Sequence, residues 1–257
     1  MEPERVTMDE ESREIRRVWR SKNQARSAYD RLSRWYDLLA GWAERPARET
    51  GLGLLAARPG ETVLEIGSGT GTSLVKLAEA VGAGGRVCGL DLSEGMLRVA
   101  RRRLGRAGLS GRVELQLGDA AGLPYPASTF DAVFLSFTLE LFDTPEIPIV
   151  LRESRRVLRD GGRLVVVAMS KDAGSPLARL TVRLYEWAHD RFPAAADCRP
   201  IFPARAVSEA GFEVRRQRAL SMWGLPVEIV EACASGGTGA DAGAGTGAGA
   251  GADATDI

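Results

Sequence analysis

The sequence predicts an α/β protein built on a mostly parallel sheet with helices on both faces. Three observations predict it. First, Thr62-Val63-Leu64-Glu65-Ile66-Gly67-Ser68-Gly69-Thr70-Gly71 reads as a short apolar strand running straight into a glycine-rich turn, with helix formers at Leu74, Val75, Leu77 and Ala78. Second, strand-length apolar runs alternate downstream with helical patterns, as a parallel sheet covered on both faces requires. Third, Glu65 with its glycines, Asp91, Asp119 and Ser136 end four successive strands, where open α/β sheets place their ligands.

A chain of 257 residues suits one such domain with appendages. Lys+Arg and Asp+Glu both number 34, so the charge balance argues against nucleic acid or another polyanion as partner. Three scattered cysteines (Cys88, Cys198, Cys233) lack metal-type spacing, so no metal is expected. The odd cysteine count, with no signal peptide, suggests a reducing, cytoplasmic setting. No apolar run approaches membrane-spanning length.

Residues 1–48 are expected to form a helical arm or cap. From Arg13 to Arg34 the chain is strongly basic, with Ile15, Val18 and Trp19 at helical spacing. This suits either peripheral contact with an anionic membrane surface or a solvated helix packed on its own domain. The aromatic segment Tyr29-Asp30-Arg31-Leu32-Ser33-Arg34-Trp35-Tyr36-Asp37 follows; its rings serve core packing or cap a ligand.

The main domain is expected over 49–233. Its second strand, Arg86–Asp91, ends on Asp91 about 20 residues past the glycine turn, where a nucleotide-binding sheet puts the carboxylate for the ribose hydroxyls. Leu92 and Met96 follow on the same tip; Met96 lies against an adenine or fills the core. Ser93 is the expected N-cap of the next helix. The third strand, Val113–Leu117, leads to Gly118-Asp119-Ala120, and the fourth, Phe130–Leu135, to Ser136-Phe137. A helix over 147–158 closes at Arg159-Asp160-Gly161-Gly162 before the fifth strand, Arg163–Met169.

Residues 174–202 interrupt the alternation. Leu177, Leu180, Leu184, Trp187 and Ala188 make an apolar helical stripe, and the chain's only histidine, His189, sits beside it. Pro203 to Ala210 reads as a short helix, followed by strands over 212–220 and 226–232. That makes seven strands, the last hairpin placing one antiparallel strand at the sheet edge. The Gly/Ala-rich stretch 234–257 cannot bury a core and reads as a disordered tail.

Glu65-x-Gly67-x-Gly69-x-Gly71 departs from the dinucleotide pattern G-x-G-x-x-G, because its third glycine comes one residue early. The acidic residue followed by G-x-G-x-G resembles the first motif of the class I S-adenosylmethionine (SAM) methyltransferases. "GDA" at 118–120, "LPYPASTFDAVFLSF" at 123–137 and the Tyr36-Asp37 pair resemble the menaquinone/ubiquinone C-methyltransferase branch over roughly Tyr29 to Glu231. The resemblance implies a Rossmann-like seven-stranded fold and SAM as cofactor. It also implies roles: Tyr36 caps the cofactor; Glu65, Gly67, Gly69, Thr70 and Gly71 hold its methionine end; Asp91 its ribose; Asp119 and Ala120 its adenine; Ser136 walls the sulfonium. Segment 174–202 would roof the acceptor pocket. Glu140 would face the cleft near the methyl, and Glu140 or His189 would be the catalytic base.

The chain departs from that branch in reading "SFTLEL" after the fourth strand and in lacking its C-terminal signature. The acceptor is therefore open: a small-molecule or lipid-like acceptor such as a quinone precursor ring, or an amine or phospholipid headgroup. A non-catalytic SAM-binding module is the reading of another class, and an NAD-linked dehydrogenase a more distant one.

Overall fold

The computed structural model describes residues 22–33, 41–172, 174, 176–191 and 198–234. The expected tail (234–257), apart from Ala234, and the basic segment 13–21 lie outside the described residues, as does Tyr36. Helices α1 (Lys22–Leu32) and α2 (Trp42–Leu55) lead into β1 (Thr62–Ile66), α3 (Thr72–Val81), β2 (Arg86–Asp91), α4 (Glu94–Arg106), β3 (Val113–Leu117) and β4 (Phe130–Ser136). Then come α5 (Ile147–Val157), β5 (Leu158–Met169), α6 (Pro176–Arg191), α7 (Pro203–Glu209), β6 (Phe212–Met222) and β7 (Leu225–Ala234).

The seven strands form one sheet in the order β3-β2-β1-β4-β5-β7-β6. Strands β1 to β5 pair in parallel, and β7 runs antiparallel to both β5 and β6. The order therefore reverses between β1 and β4, which opens a crevice at their carboxyl ends. One expectation is corrected here. The antiparallel strand is not at the edge: β7 inserts between β5 and β6, so the outermost strand, β6, runs with the parallel set. Strand β7 takes the inner place through its antiparallel ladder to Arg163–Met169 of β5, and the two-residue turn Trp223-Gly224, with left-handed φ angles of 52° and 83°, folds β6 back along its outer side as a tight hairpin.

A second correction concerns Arg159–Gly162. Helix α5 ends at Val157, and these residues are absorbed into β5 as an irregularity, with Phe130 opposite Leu158 and Ala132 already opposite Arg163. Left-handed Gly161, at φ 72°, takes up the extra residues.

The sheet separates two apolar layers by simple alternation. Leu64, Ile66, Val133, Leu135, Leu164 and Val166 face α5 and α7, whereas Val63, Ala132, Phe134, Val165 and Val167 face α2 and α3. Helix α2 lies very close to the sheet because Gly51 offers no side chain: a Cβ there would stand 2.4 Å from Val167 Cγ2. That closeness brings the first turns of α2 over the carboxyl end of β1.

Candidate ligand site

At the carboxyl ends of β1 to β4 lies a cavity. Of the residues expected to hold a cofactor, Glu65, Gly67, Gly69, Thr70, Asp91, Leu92, Met96, Asp119, Ala120 and Ser136 all line it. Gly71 does not: it precedes α3 with φ 79°, its missing Cβ leaving room for Ala100 at 2.9 Å.

The glycine loop is shaped by main-chain bonds. The N–H groups of Gly67 and Ser68 both donate to Leu90 O, at 2.8 and 3.1 Å. Gly67 and Gly69 are left-handed, at φ 69° and 51°. A Cβ on Gly67 would stand 2.3 Å from Thr138 Oγ1, whereas one on Gly69 would meet nothing within 4 Å. The first glycine is thus required by packing across to the β4 loop, the second by the backbone conformation and the open cleft. From α4, Arg103 Nη1 donates to Thr70 O (2.7 Å), Thr70 Oγ1 (2.9 Å) and Thr72 Oγ1 (2.5 Å), fastening the loop's far end.

Asp91 is half-buried at the tip of β2. Its Oδ1 accepts from Ser93 N at 2.8 Å and its Oδ2 from Gly69 N at 2.7 Å. Burial nonetheless pushes its pKa up to about 6, outweighing those N–H groups. Ser93 is the expected cap, accepting from Met96 N at 3.1 Å, and Ser93 Oγ donates to Asp30 Oδ1 at 2.6 Å. Asp30 Oδ1 also accepts from Gly95 N at 2.7 Å, so α1 is anchored to the start of α4. Of the Tyr29-Asp30 pair, Tyr29 lines the cavity and Asp30 makes this anchor.

Glu65 reaches into the cavity from β1, 3 % exposed. Burial pushes its carboxyl up to about 8; Ser73 and the charge of Arg48 favour the ionised form, and Asp91 opposes it. Its Oε2, together with Ser68 Oγ and Ser136 Oγ, is buried without a hydrogen-bond partner among the described residues. Three orphaned polar atoms in one cavity wall mark a place built for a polar ligand.

Glu140 takes a different position from the expected one. It is absent from the cavity lining and fully buried, in a 3₁₀ turn over Leu139–Leu141. Its Oε1 accepts from Met169 N at 3.1 Å, Oε2 has no partner among the described residues, and burial pushes the carboxyl up to about 8. The next residues, Leu141 and Phe142, face the cavity instead. The tight winding of the 3₁₀ turn, about three residues per turn, sets Glu140 behind the wall while Leu141 faces the cavity. His189 lies on α6, and its side chain is outside what the structure describes.

Several lining residues escaped the sequence reading: Glu44 and Arg48 of α2, Lys22 of α1, and Thr138, Asp143 and Glu146 after β4. Lys22 Nζ bridges Asp119 and Glu146, at 2.6 Å each, across the cavity's rim. Glu44 and Arg48, 3.4 Å apart, carried one legible signal. They are charged residues on the same helical face as buried Ala47, Gly51 and Leu55.

Comparison with known proteins agrees with this architecture. Residues 63–162 match the family model of a methyltransferase domain. The ubiquinone/menaquinone biosynthesis C-methyltransferase of Vibrio cholerae serotype O1 is 33% identical over 177 residues, covering 69% of this chain and 65% of the relative. The nocamycin O-methyltransferase of Saccharothrix syringae is 39% identical over 136 residues, covering 53% and 48%. In both cases the chain spans less than two thirds of the curated relative's length. Among solved structures, the [4+2]-cyclase SpnF superposes with a TM-score of 0.68 at 21% identity, covering 85% of this chain and 98% of that one. Residues 63–162 thus match a methyltransferase domain, and the fold is that of the solved structure just described.

Proposed function

We propose that this chain is a SAM-dependent methyltransferase acting on a small, hydroxyl-bearing acceptor, with a quinone precursor ring the favoured case. The observation that carries the reading is the meeting in one cavity of Glu65, the glycine loop, Asp91 and Asp119 at neighbouring strand tips. The residues present fit the cofactor. Glu65 Oε2, buried without a partner, suits a cationic ammonium; Arg48 beside it suits a carboxylate; Asp91 suits a ribose diol; Gly69 leaves open space where a side chain would intrude. When bound, SAM supplies an activated methyl group on a cationic sulfur. The chain's own part is to align the partners and exclude water. Phe137, Leu141 and Phe142 give the β4 side of the cavity an apolar wall against which a ring can lie flat.

The C-methyl and O-methyl relatives favour the hydroxyl-bearing class, since transfer to a hydroquinone carbon or to a phenol oxygen both need a hydroxyl proton removed. Glu44 is a carboxylate on the cavity surface, and its charge interacts with Glu140 behind it. In this reading Glu140 acts by positioning the Leu139–Leu141 turn, and His189 stands as the second proton acceptor to test. The experiment is incubation with methyl-labelled SAM and separate pools of naphthoquinols, phenols and amine lipids. Label in a quinol or phenol supports the reading. Label confined to amine lipids overturns the acceptor class, and binding without transfer to any pool overturns the enzyme.

A further inference from the structure

The apolar stripe of α6 does not cover the cavity. Leu180, Leu184 and Trp187 are 62, 62 and 60% exposed, while Val182 and Tyr185 turn toward the domain. Thr181 Oγ1 donates to Gly224 O at 2.8 Å, setting the helix beside the β6–β7 turn. At that turn stands Trp223, 69% exposed in a left-handed conformation that favours glycine or asparagine, its ring centre 6.1 Å from that of exposed Trp42. Five of the seven exposed large apolar side chains among the described residues thus gather along this edge.

Among the described residues its exposed charge is mainly cationic. Arg179 and Arg183, both exposed, each precede a stripe leucine by one residue and so run as a row along its border. Arg218 is exposed on the edge strand, on the same face as Leu220 and Met222. On the same helix Glu186 is held by Lys171 at 3.0 Å, and the side chain of Asp190 lies outside what the structure describes. We propose that this edge docks on the headgroup layer of an anionic lipid bilayer. Tryptophan rings settle at a membrane interface, leucines reach the upper acyl chains, and guanidinium groups meet phosphates. A second copy of the chain fits less well, because it would bring two arginine rows together. The contact is peripheral: no described helix is long and apolar enough to cross a membrane.

The test is co-sedimentation of the full chain with vesicles. We expect binding to vesicles containing ~30% phosphatidylglycerol, with much less to pure phosphatidylcholine. The triple variant L180Q/L184Q/W187Q should lose about tenfold or more in partitioning. R179Q/R183Q should weaken binding and flatten its salt dependence. Trp223→Gly, which also relieves the backbone, should weaken binding without loss of fold. All these positions lie outside the cavity, so SAM affinity by calorimetry should stay at the parent value, which separates this proposal from the enzymatic one. The proposal is overturned if the parent ignores anionic vesicles, or if the variants bind as well as the parent does. It is also overturned if the parent is a dimer that the triple variant splits, because the face then joins copies of the chain.

Discussion

The backbone N–H of Gly69 donates to Asp91 Oδ2 across 2.7 Å, tying the glycine loop after β1 to the tip of β2. The two motifs are 22 residues apart in sequence and form one unit in space. Asp91 is at once part of the loop's scaffold and, in our reading, the receiver of the ribose.

Replacing Asp91 therefore removes two functions. Asp91→Ala should weaken SAM binding by about 100-fold or more, since each hydrogen bond to a charged group contributes ~1.5–3 kcal/mol. Asp91→Asn should fall between that variant and the parent. Calorimetric titration measures both; parent-like affinity in Asp91→Ala would remove this cavity as the cofactor site.

Glu65 gives a proton-counting prediction. Its carboxyl titrates near 8, so at pH 7 the free protein holds it mostly protonated. A cation placed against Oε2 favours the ionised form, so binding should release about one proton at pH 7. Calorimetry in buffers of different ionisation enthalpy reads that number. Glu65→Gln should release close to none, and equal release in the two proteins would contradict the assignment.

Glu140 predicts a stability change with a definite sign. Its folded pKa, about 8, lies above the ordinary carboxyl value of 4.5, so the folded state holds the proton longer. Stability is thus lost as pH rises from about 4.5 to about 8. Glu140→Gln removes that loss. One pKa unit is about 1.4 kcal/mol, and ~1 kcal/mol moves the Tm of a domain this size by roughly 2–4 °C. The variant should gain several degrees over the parent at pH 9 and little at pH 5. A constant difference across that range would show that burial of the charge is not the cause.

The two cleft glycines should fail differently. Gly67→Ala forces a Cβ against Thr138 in a left-handed conformation and should cost ~2–3 kcal/mol of stability in urea unfolding. Gly69→Ala meets nothing and should cost only ~1 kcal/mol, yet it should still weaken SAM binding strongly. Equal stability losses would mean that the Thr138 contact is soft.

Arg103→Ala frees the end of the loop. Its three acceptors, Thr70 O and the two threonine hydroxyls, lie on the segment that the helix start presents to the ligand. Affinity for SAM should drop about tenfold, the loss of roughly 1.4 kcal/mol from a charge-assisted bond. Catalytic turnover at saturating SAM should stay near the parent's; a fall in turnover alone would assign Arg103 to the chemistry instead.

Local sequence was enough for strands β1 to β4, the glycine loop, Ser93 as a cap, and the strand-tip residues. Each is set by neighbours within a few positions: an apolar run ends, and a carboxylate or glycine follows where the strand stops. That periodicity also announced the α6 helix and its stripe. Tertiary structure alone decided which way that stripe points, because Val182 and Tyr185 bury the opposite face and an amphipathic pattern does not say which neighbour is available. It likewise set Glu140 behind the wall, brought Glu44 and Arg48 over β1 through the close approach at Gly51, and inserted β7 inside β6. These depend on contacts between segments far apart in the chain, whose energies are fixed only when the whole sheet is assembled.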